Sequence, residues 1–268
     1  MSDIQNYIHP RPPIRGGSFI ETTAGTTGEE GKVDINNIHE VYNWVVSQRG
    51  MSERFRAGMN STISLYSTGW LRKRGNDNPT SLEHIEVEYY LYQEFLALGL
   101  CGKIVPTLNA ELGLLEGNSI VVSQINSACP IWEYGKAVLL GKMSEELWIA
   151  LCSQAGKNLK EFHALGYIHR DLHTGNVVVE LLPTGEWNPV LIDFGMSSKV
   201  SSMPVDTAAW LQEDDRNSLY EDLDELYSKL YSKLKKLLEV EQKLNFVKNQ
   251  KVWFYKGLEA FLEESKPL

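Results

Sequence analysis

The chain has 268 residues, 43% of them hydrophobic, which is enough apolar surface to bury the core of a catalytic domain with one or two lobes. It carries 35 acidic and 26 basic side chains, and this net charge of −9 excludes the broad positive surface that general nucleic-acid binding requires. Three cysteines without a CxxC pair, no apolar run of about 18 residues and no secretory leader predict a soluble protein of a reducing, cytoplasmic compartment.

The N-terminal region is predicted to contain little folded structure. Residues 1–32 are rich in Pro, Gly and Thr and poor in apolar side chains, which predicts a flexible leader. Apolar residues at helical spacing over 34–48 predict a short amphipathic helix, and Gly50 supplies its stop.

The next segment shows turn and cap signals. Ser67-Thr68-Gly69 separates two short apolar runs and predicts a β-hairpin within residues 55–73. Thr80 and Glu83 form a capping-box pattern for a helix that ends at Gly99.

Strand patterns continue to residue 125, and helical patterns dominate the chain after it. Further strands are expected at 105–108, 112–115 and 119–125. The spacing of apolar residues predicts a helix over 144–165 and a largely helical chain after Asp206.

This change from strands to helices divides the chain into three predicted units. They are a leader with a short helix (1–50), a small β-rich lobe with one key helix (51–125), and a mostly helical lobe with a helical C-terminal extension (126–268). The predicted fold class is therefore α+β, with two lobes.

Two motifs in the helical part point to a specific chemistry. The sequence His169-Arg170-Asp171-Leu172-His173-Thr174-Gly175-Asn176 is followed by Leu191-Ile192-Asp193-Phe194-Gly195, and 193 − 171 = 22 positions separate the two aspartates. Between the motifs, two valine-containing strand patterns flank Pro183-Thr184-Gly185, which predicts a hairpin that brings Asn176 and Asp193 together. The motifs resemble the catalytic loop H-R-D-L-x-x-x-N and the D-F-G motif of the protein-kinase superfamily.

This resemblance implies a bilobal protein-kinase-like fold and phosphoryl transfer that uses ATP and Mg²⁺. Asp171 would accept the proton of the attacking hydroxyl, and Asn176 and Asp193 would bind the metal ion. Lys73 lies where the family's V-A-I-K lysine contacts the phosphates. Glu88 follows it by 88 − 73 = 15 positions, borders the apolar stripe of the predicted helix, and is expected to pair with Lys73.

The same resemblance assigns the rest of the nucleotide site. Residues 56–63 align with the glycine-rich loop but retain only its central glycine, which makes Gly58, Ser61 and Ile63 candidate phosphate contacts. The strand that leads into the family's hinge would bring three residues to the adenine, namely Ser123, Gln124 and Ile125. A plain strand turn at Gly58 and a core strand at the hinge are the alternatives.

The acceptor is expected to be a Ser or Thr hydroxyl of a protein, because Arg170 follows His169 as in protein kinases. No A-P-E segment follows Gly195, so the chain resembles an atypical, minimal member, as small bacterial effector-type kinases are. His173 stands where Ser/Thr kinases carry Lys, which favours instead a small-molecule kinase of the sugar or choline type. A catalytically silent pseudokinase scaffold is the third hypothesis.

The remaining expectations concern two histidines, the cellular location and the oligomeric state. His169 is expected to be a buried structural member of its loop, and His163 a packing or solvated residue. Secretion into a host cell is an alternative to the cytoplasm. The sequence sets no oligomeric state.

Overall fold

A computed structural model of the protein describes residues 33–48, 61–125, 128–237 and 241–267, which form a mixed α/β fold with small sheets and six α-helices. The predicted leader and the expected stop at Gly50 lie outside these ranges. In chain order the elements are α1 (Ile38–Gln48), β1 (Ser61–Ser67), β2 (Trp70–Gly75), α2 (Pro79–Ala97), β3 (Ser119–Ser123), β4 (Cys129–Pro130), α3 (Ile131–Leu139), α4 (Glu145–Ala164), β5 (Tyr167–Ile168), β6 (Val177–Leu181), β7 (Trp187–Leu191), β8 (Ser198–Lys199), a 3₁₀ turn (Val200–Ser202), α5 (Val205–Leu237) and α6 (Glu241–Glu264). This order is compatible with a protein-kinase-like fold. Among the described helices, none combines the length and apolar character needed to cross a membrane.

The first sheet has the strand order β1-β2-β3 and contacts α2. Strands β1 and β2 form the predicted hairpin, and Gly69 in its turn has a φ of +81°, a conformation that glycine adopts without strain. Strand β3 pairs antiparallel with β2 and sets Lys73 opposite Ile120. Lys73 therefore lies in the central strand of this sheet.

The segment between α2 and β3 is a loop and not the two strands expected at 105–108 and 112–115. Leu108 and Leu115 each make a single isolated bridge to β3. Gly113 adopts a φ of +61°, and such a turn conformation interrupts regular strand pairing. The two strand predictions are therefore wrong, although the apolar residues do pack toward the sheet.

Helix α2 begins earlier than its sequence pattern indicated. The side chain of Asn78 accepts a hydrogen bond from the Ser81 N–H at 2.9 Å, and a proline occupies the first helical position. The capping box predicted from Thr80 and Glu83 is wrong, because Asn78 already provides the cap. The helix ends at Ala97, and the chain turns away at Gly99 as predicted, with a φ of +71°.

The second sheet has the order β4-β6-β7 and packs with α3 and α4. Strands β6 and β7 form the predicted hairpin, with Val177 opposite Leu191. Helix α4 confirms the helix predicted at 144–165, and α6 packs along it. At Gly156 the two helices approach so closely that a Cβ would stand 2.6 Å from the carbonyl oxygen of Phe261.

Helix α1 precedes the first sheet in the chain but packs against α3. Val41 and Val45 are buried in the common core, and the ring of Tyr42 lies 6.4 Å from that of Trp187 in β7. The helix is thus part of the packed structure. The division of the chain at residues 50 and 125 stays a prediction.

Candidate active site

Three charged side chains, which we call the Lys73 cluster, meet where β2, α2 and the segment after β7 come together. Nζ of Lys73 lies 2.6 Å from Oε2 of Glu88 and 2.6 Å from Oδ1 of Asp193. Lys73 is buried, Glu88 is 2% exposed, and Asp193 reaches the surface. The structure thus brings together one amine and two carboxylates from three separate segments.

Burial and charge act in opposite directions on this cluster. Burial disfavours the charged form of Lys73, but the charges of Glu88 and Asp193 outweigh it and raise the pKa of the amine. For Glu88, burial dominates and raises the pKa of the carboxyl. For Asp193, burial is opposed by Lys73, which lowers the pKa of the carboxyl. Lys73 is therefore protonated and Asp193 ionised at neutral pH, the states that phosphate and metal binding require.

Helix α2 contacts the segment Asp193-Phe194-Gly195 directly. The backbone N–H of Phe194 donates to Oε1 of Glu88 at 3.4 Å. A Cβ on Gly195 would stand 2.9 Å from Cβ of His84, so only a glycine permits this approach. The position of α2 is thereby coupled to the position of Asp193.

The Phe194 ring forms the centre of a buried aromatic cluster. Its centroid lies between 5.0 and 5.7 Å from those of Tyr92, Phe95, Phe162 and His169. These rings come from α2, α4 and the loop that follows β5. Such edge-to-face and tilted contacts favour one packing arrangement, so the cluster fixes α2 and the loop relative to each other.

The loop at residues 169–176, here called the catalytic-motif loop, ends beside Asp193. The N–H of Ile192 donates to the carbonyl of Asn176 at 3.0 Å, which sets Asn176 and Asp193 at the same end of the β6–β7 hairpin. Nδ2 of Asn176 donates to the backbone carbonyl of Asp171 at 2.9 Å. The side chain of Asp171 is exposed. The loop thus connects the backbone of Asp171 to Asn176, which lies at the same hairpin end as Asp193.

Two residues of the site adopt a backbone conformation that is unfavourable for non-glycine residues. Arg170 has a φ of 64° and Asp193 a φ of 68°. Each such residue costs about 1–3 kcal/mol and persists only where other contacts hold it, which is common at functional sites. The backbone at Arg170 therefore needs specific contacts to hold it.

Asp215 of α5 provides these contacts. Its carboxylate accepts hydrogen bonds from the N–H groups of His169 and Arg170, each at 2.7 Å, and lies 3.0 Å from Nε2 of His163. Asp215 is 1% exposed. His163 packs, which was one of its two expected roles, and in addition it hydrogen-bonds a buried carboxylate that the sequence did not reveal.

Sequence reasoning missed Asp215, although a signal was present. Asp215 follows the buried Ala208 by 215 − 208 = 7 positions and precedes the buried Leu219 by 219 − 215 = 4. These intervals place it on the buried face of α5, where an unpaired carboxylate would be costly. An acidic residue on an apolar helix face indicates a specific partner.

His169 is buried and hydrogen-bonded to the backbone, which confirms the expectation for this residue. Its Nε2 lies 2.9 Å from the carbonyl oxygen of Ile192, so Nε2 carries the proton. Its Nδ1 has no hydrogen-bond partner within the described part of the chain. Burial lowers the pKa of His169, and the ring is neutral at neutral pH.

The remaining predicted nucleotide contacts are spread along the first sheet. Ser61 is buried at the start of β1, and Ile63 is half-buried in the same strand; Gly58 lies outside the described residues. The N–H of Ser123 donates to Thr107 at 2.7 Å, and the N–H of Gln124, the next residue before Ile125, donates to Gly69 at 2.8 Å. These two N–H groups are already occupied, so carbonyl groups of this segment are the better candidates for contacting adenine.

A metal ion at this site would need ligands from outside the protein. Within the described ranges, no group of three or more His, Cys, Asp or Glu side chains is arranged to hold a metal. Asn176 and Asp193 would supply two oxygen ligands, and Mg²⁺ in proteins commonly completes its shell with phosphate oxygens and water. The donor set therefore fits a Mg²⁺ ion that arrives with a nucleotide.

Comparisons with known proteins assign no family to the sequence. No protein-family description matches it, and no curated protein matches it either. Among solved structures, the chain is similar to "WaaP in complex with acyl carrier protein", with 12% sequence identity and a TM-score of 0.47 over 82% of this chain and 92% of that chain. At this level of likeness, any functional conclusion has to come from the geometry of the site.

Proposed function

We propose that the protein is an ATP- and Mg²⁺-dependent phosphotransferase of the protein-kinase-like type. The observation that carries this proposal is the contact of Lys73 with both Glu88 and Asp193, at 2.6 Å each. The contact joins three motif-matched positions that lie up to 120 residues apart in the chain. Phosphoryl transfer depends on positioning and on neutralising the phosphate charge, and a fixed ammonium beside a metal-binding carboxylate serves both purposes.

Each residue of the site has a role in this proposal. Lys73 would bind the phosphates of ATP, and Glu88 would hold its amine in place. Asn176 and Asp193 would bind Mg²⁺, which supplies charge neutralisation on the transferred phosphoryl group. Asp171 would accept the proton of the acceptor hydroxyl. The hydroxyl oxygen would bond to the γ-phosphorus while the bond between that phosphorus and the ADP oxygen breaks.

The first candidate acceptor is a Ser or Thr hydroxyl of a protein, for which the order His169-Arg170-Asp171 is the supporting feature. A second candidate, the hydroxyl of a small molecule, is favoured by the short chain between Gly195 and α5. This connection has 204 − 196 + 1 = 9 residues, and two of them are paired with β5 as strand β8. So short a segment offers little surface on which an extended peptide can bind.

A labelled-phosphate assay tests the proposal and separates the two acceptors. The protein is incubated with γ-labelled ATP and Mg²⁺, in parallel with a protein extract and with a panel of sugars and amino alcohols. We expect label transfer to one class, and a loss on the order of 10³-fold in Asp171→Asn and Asp193→Asn.

The matched control is Asp77→Asn. Asp77 is an exposed carboxylate that pairs only with the surface residue Arg74, at 3.5 Å, among the described residues. This variant should retain wild-type transfer. Equal transfer by Asp193→Asn and the wild type, or no binding of Mg²⁺ and ATP by the wild type, contradicts the proposal.

A further inference from the structure

Thr174 lies in the middle of the catalytic-motif loop and points away from solvent. Its N–H donates to Oδ2 of Asp222 at 2.8 Å, and its hydroxyl donates to the same oxygen. Thr174 is 7% exposed. A buried N–H and a buried hydroxyl therefore both depend on one carboxylate for their hydrogen bonds.

The residues on both sides of Thr174 are bonded to one another. The N–H of Gly175 donates to Nδ1 of His173 at 3.0 Å, and the N–H of Asn176 donates to the carbonyl of His173 at 2.9 Å. A Cβ on Gly175 would stand 2.7 Å from the His173 ring, so the ring lies directly over the glycine. Asn176 in turn donates to the carbonyl of Asp171. The turn is a compact unit, and Thr174 is the residue that attaches it to the protein body.

Asp222 and Asp215 lie on the same helix, 222 − 215 = 7 positions apart. Seven residues are about two helical turns, or roughly 10 Å along the axis, so both side chains project from similar faces of α5. Asp215 binds the loop at His169 and Arg170, and Asp222 binds it at Thr174. One rigid helix therefore holds the loop before and after Asp171.

We infer that Asp222 is a positioning residue for the phosphoryl transfer proposed above, and this inference rests on that proposed function. Through Thr174, it fixes the turn that sets the distance between Asp171 and Asn176. Asp222 acts through the backbone and hydroxyl of another residue and touches no reacting atom. Without it, the loop loses its second attachment while the Lys73 cluster keeps all its contacts.

Kinetics of four variants test this role. In Asp222→Ala we expect kcat to fall roughly 10- to 100-fold, because a displacement of about 1 Å in a catalytic group has an effect of this size, while KM for ATP changes by less than about threefold. Asp222→Asn keeps an acceptor oxygen, so its kcat should fall less. Thr174→Ser keeps both donors and should retain most activity, whereas the double variant Asp222→Ala/Thr174→Ala should be no worse than Asp222→Ala.

Asp224→Ala is the matched control. Asp224 lies on α5 beside Asp222, but its carboxylate accepts a hydrogen bond from the hydroxyl of Tyr255 in α6. Its removal deletes the same group from the same helix and should leave kcat unchanged. A kcat within twofold of wild type in folded Asp222→Ala, or equal losses in Asp222→Ala and Asp224→Ala, overturns the inference.

Hydrogen–deuterium exchange keeps the inference testable independently of activity. Peptides covering residues 169–176 should exchange at least about tenfold faster in Asp222→Ala than in the wild type or Asp224→Ala, because the N–H of Thr174 loses its acceptor. Unchanged exchange overturns the role of Asp222. Faster exchange in a protein whose wild type transfers no phosphate means that the attachment is real and that the proposed function is wrong.

Discussion

The Lys73 cluster and the catalytic-motif loop belong to one site, yet different interactions hold them. The cluster consists of charged side chains that contact one another, with Lys73 and Glu88 shielded from water. The loop is held by backbone N–H groups that donate to Asp215, and its own Asp171 stays exposed. In the first region, each side chain is the partner of another charge. In the loop, the residue proposed to act, Asp171, and the residue whose carboxylate holds the backbone, Asp215, are different.

This difference predicts how each region responds to mutation. Removing one member of the buried pair leaves an uncompensated charge, which costs about 3–5 kcal/mol. Removing a carboxylate that holds the loop leaves unsatisfied N–H groups, which cost about 1–3 kcal/mol. Stability and activity should therefore decline together in the cluster, whereas the loop variants should lose activity more than stability.

The largest effect is expected for Lys73→Met. The buried carboxylate of Glu88 then has no counter-charge, and we expect the free energy of unfolding to fall by about 3 kcal/mol, with loss of detectable phosphoryl transfer. Urea unfolding measures the first quantity and the labelled-phosphate assay the second. Adding Glu88→Gln removes the isolated charge and should restore part of the stability but none of the activity. A Lys73→Met protein as stable as the wild type would show that the cluster is not held by its charges.

A smaller effect on stability is expected for Asp215→Ala. The N–H groups of His169 and Arg170 lose their acceptor, so the unfavourable φ of Arg170 is no longer supported, and we expect a loss of about 2 kcal/mol. Activity should fall about 100-fold, because the backbone that carries Asp171 shifts. Asp215→Asn, which keeps one acceptor oxygen, is the matched variant and should be milder in both measurements. Equal stability losses in Asp215→Ala and Lys73→Met would remove the distinction between the two regions.

The smallest effect on stability is expected when the pH is lowered, and it involves His169 of the catalytic-motif loop. Burial lowers the pKa of His169 in the folded protein, so the unfolded chain takes up the proton first as the pH falls below about 6.5. The stability contributed by the neutral ring is complete above that pH. It is lost as the pH falls toward the folded-state pKa, at no more than about 1.4 kcal/mol per pH unit.

Urea unfolding at several pH values between 7.5 and 5 checks this expectation. His169→Gln keeps a donor for the Ile192 carbonyl but does not titrate, so its stability should decline less steeply with acid. Parallel curves for the two proteins would exclude His169 as the source of the acid sensitivity. Lys73 behaves in the opposite way, because its pKa is raised in the folded protein: its contribution to stability is complete below its unfolded-state pKa and is lost only as the pH rises through the folded-state pKa.

The sequence was most informative where the signal is local. The interval between Lys73 and Glu88 and the apolar stripe of α2 led to a pair that the structure places in contact. The turn residues between β6 and β7 led to the hairpin that sets Asn176 and Asp193 at the same end. In both cases a short stretch of chain carries the spacing, the turn and the buried face.

The contacts that the sequence did not reveal join distant segments. Asp215 and Asp222 bind a loop that lies 45 to 48 positions earlier, and no motif marks either residue. The pattern of α1 showed that one face would be buried, but not that α3 and β7 would cover it. An amphipathic pattern such as that of α1 indicates that one face is buried but not which element covers it. In α5, which carries many acidic residues, the sequence does not reveal which of them are buried.

The placement of α1 has a consequence for how the protein is made. Its apolar residues Val41 and Val45 emerge from the ribosome well before α3, which begins 131 − 45 = 86 positions later, and before Trp187. Until those segments are synthesised, this helix lacks the partners that cover its apolar face in the folded protein. The growing chain therefore exposes the apolar face of α1 to water or to other proteins until α3 and β7 have been synthesised.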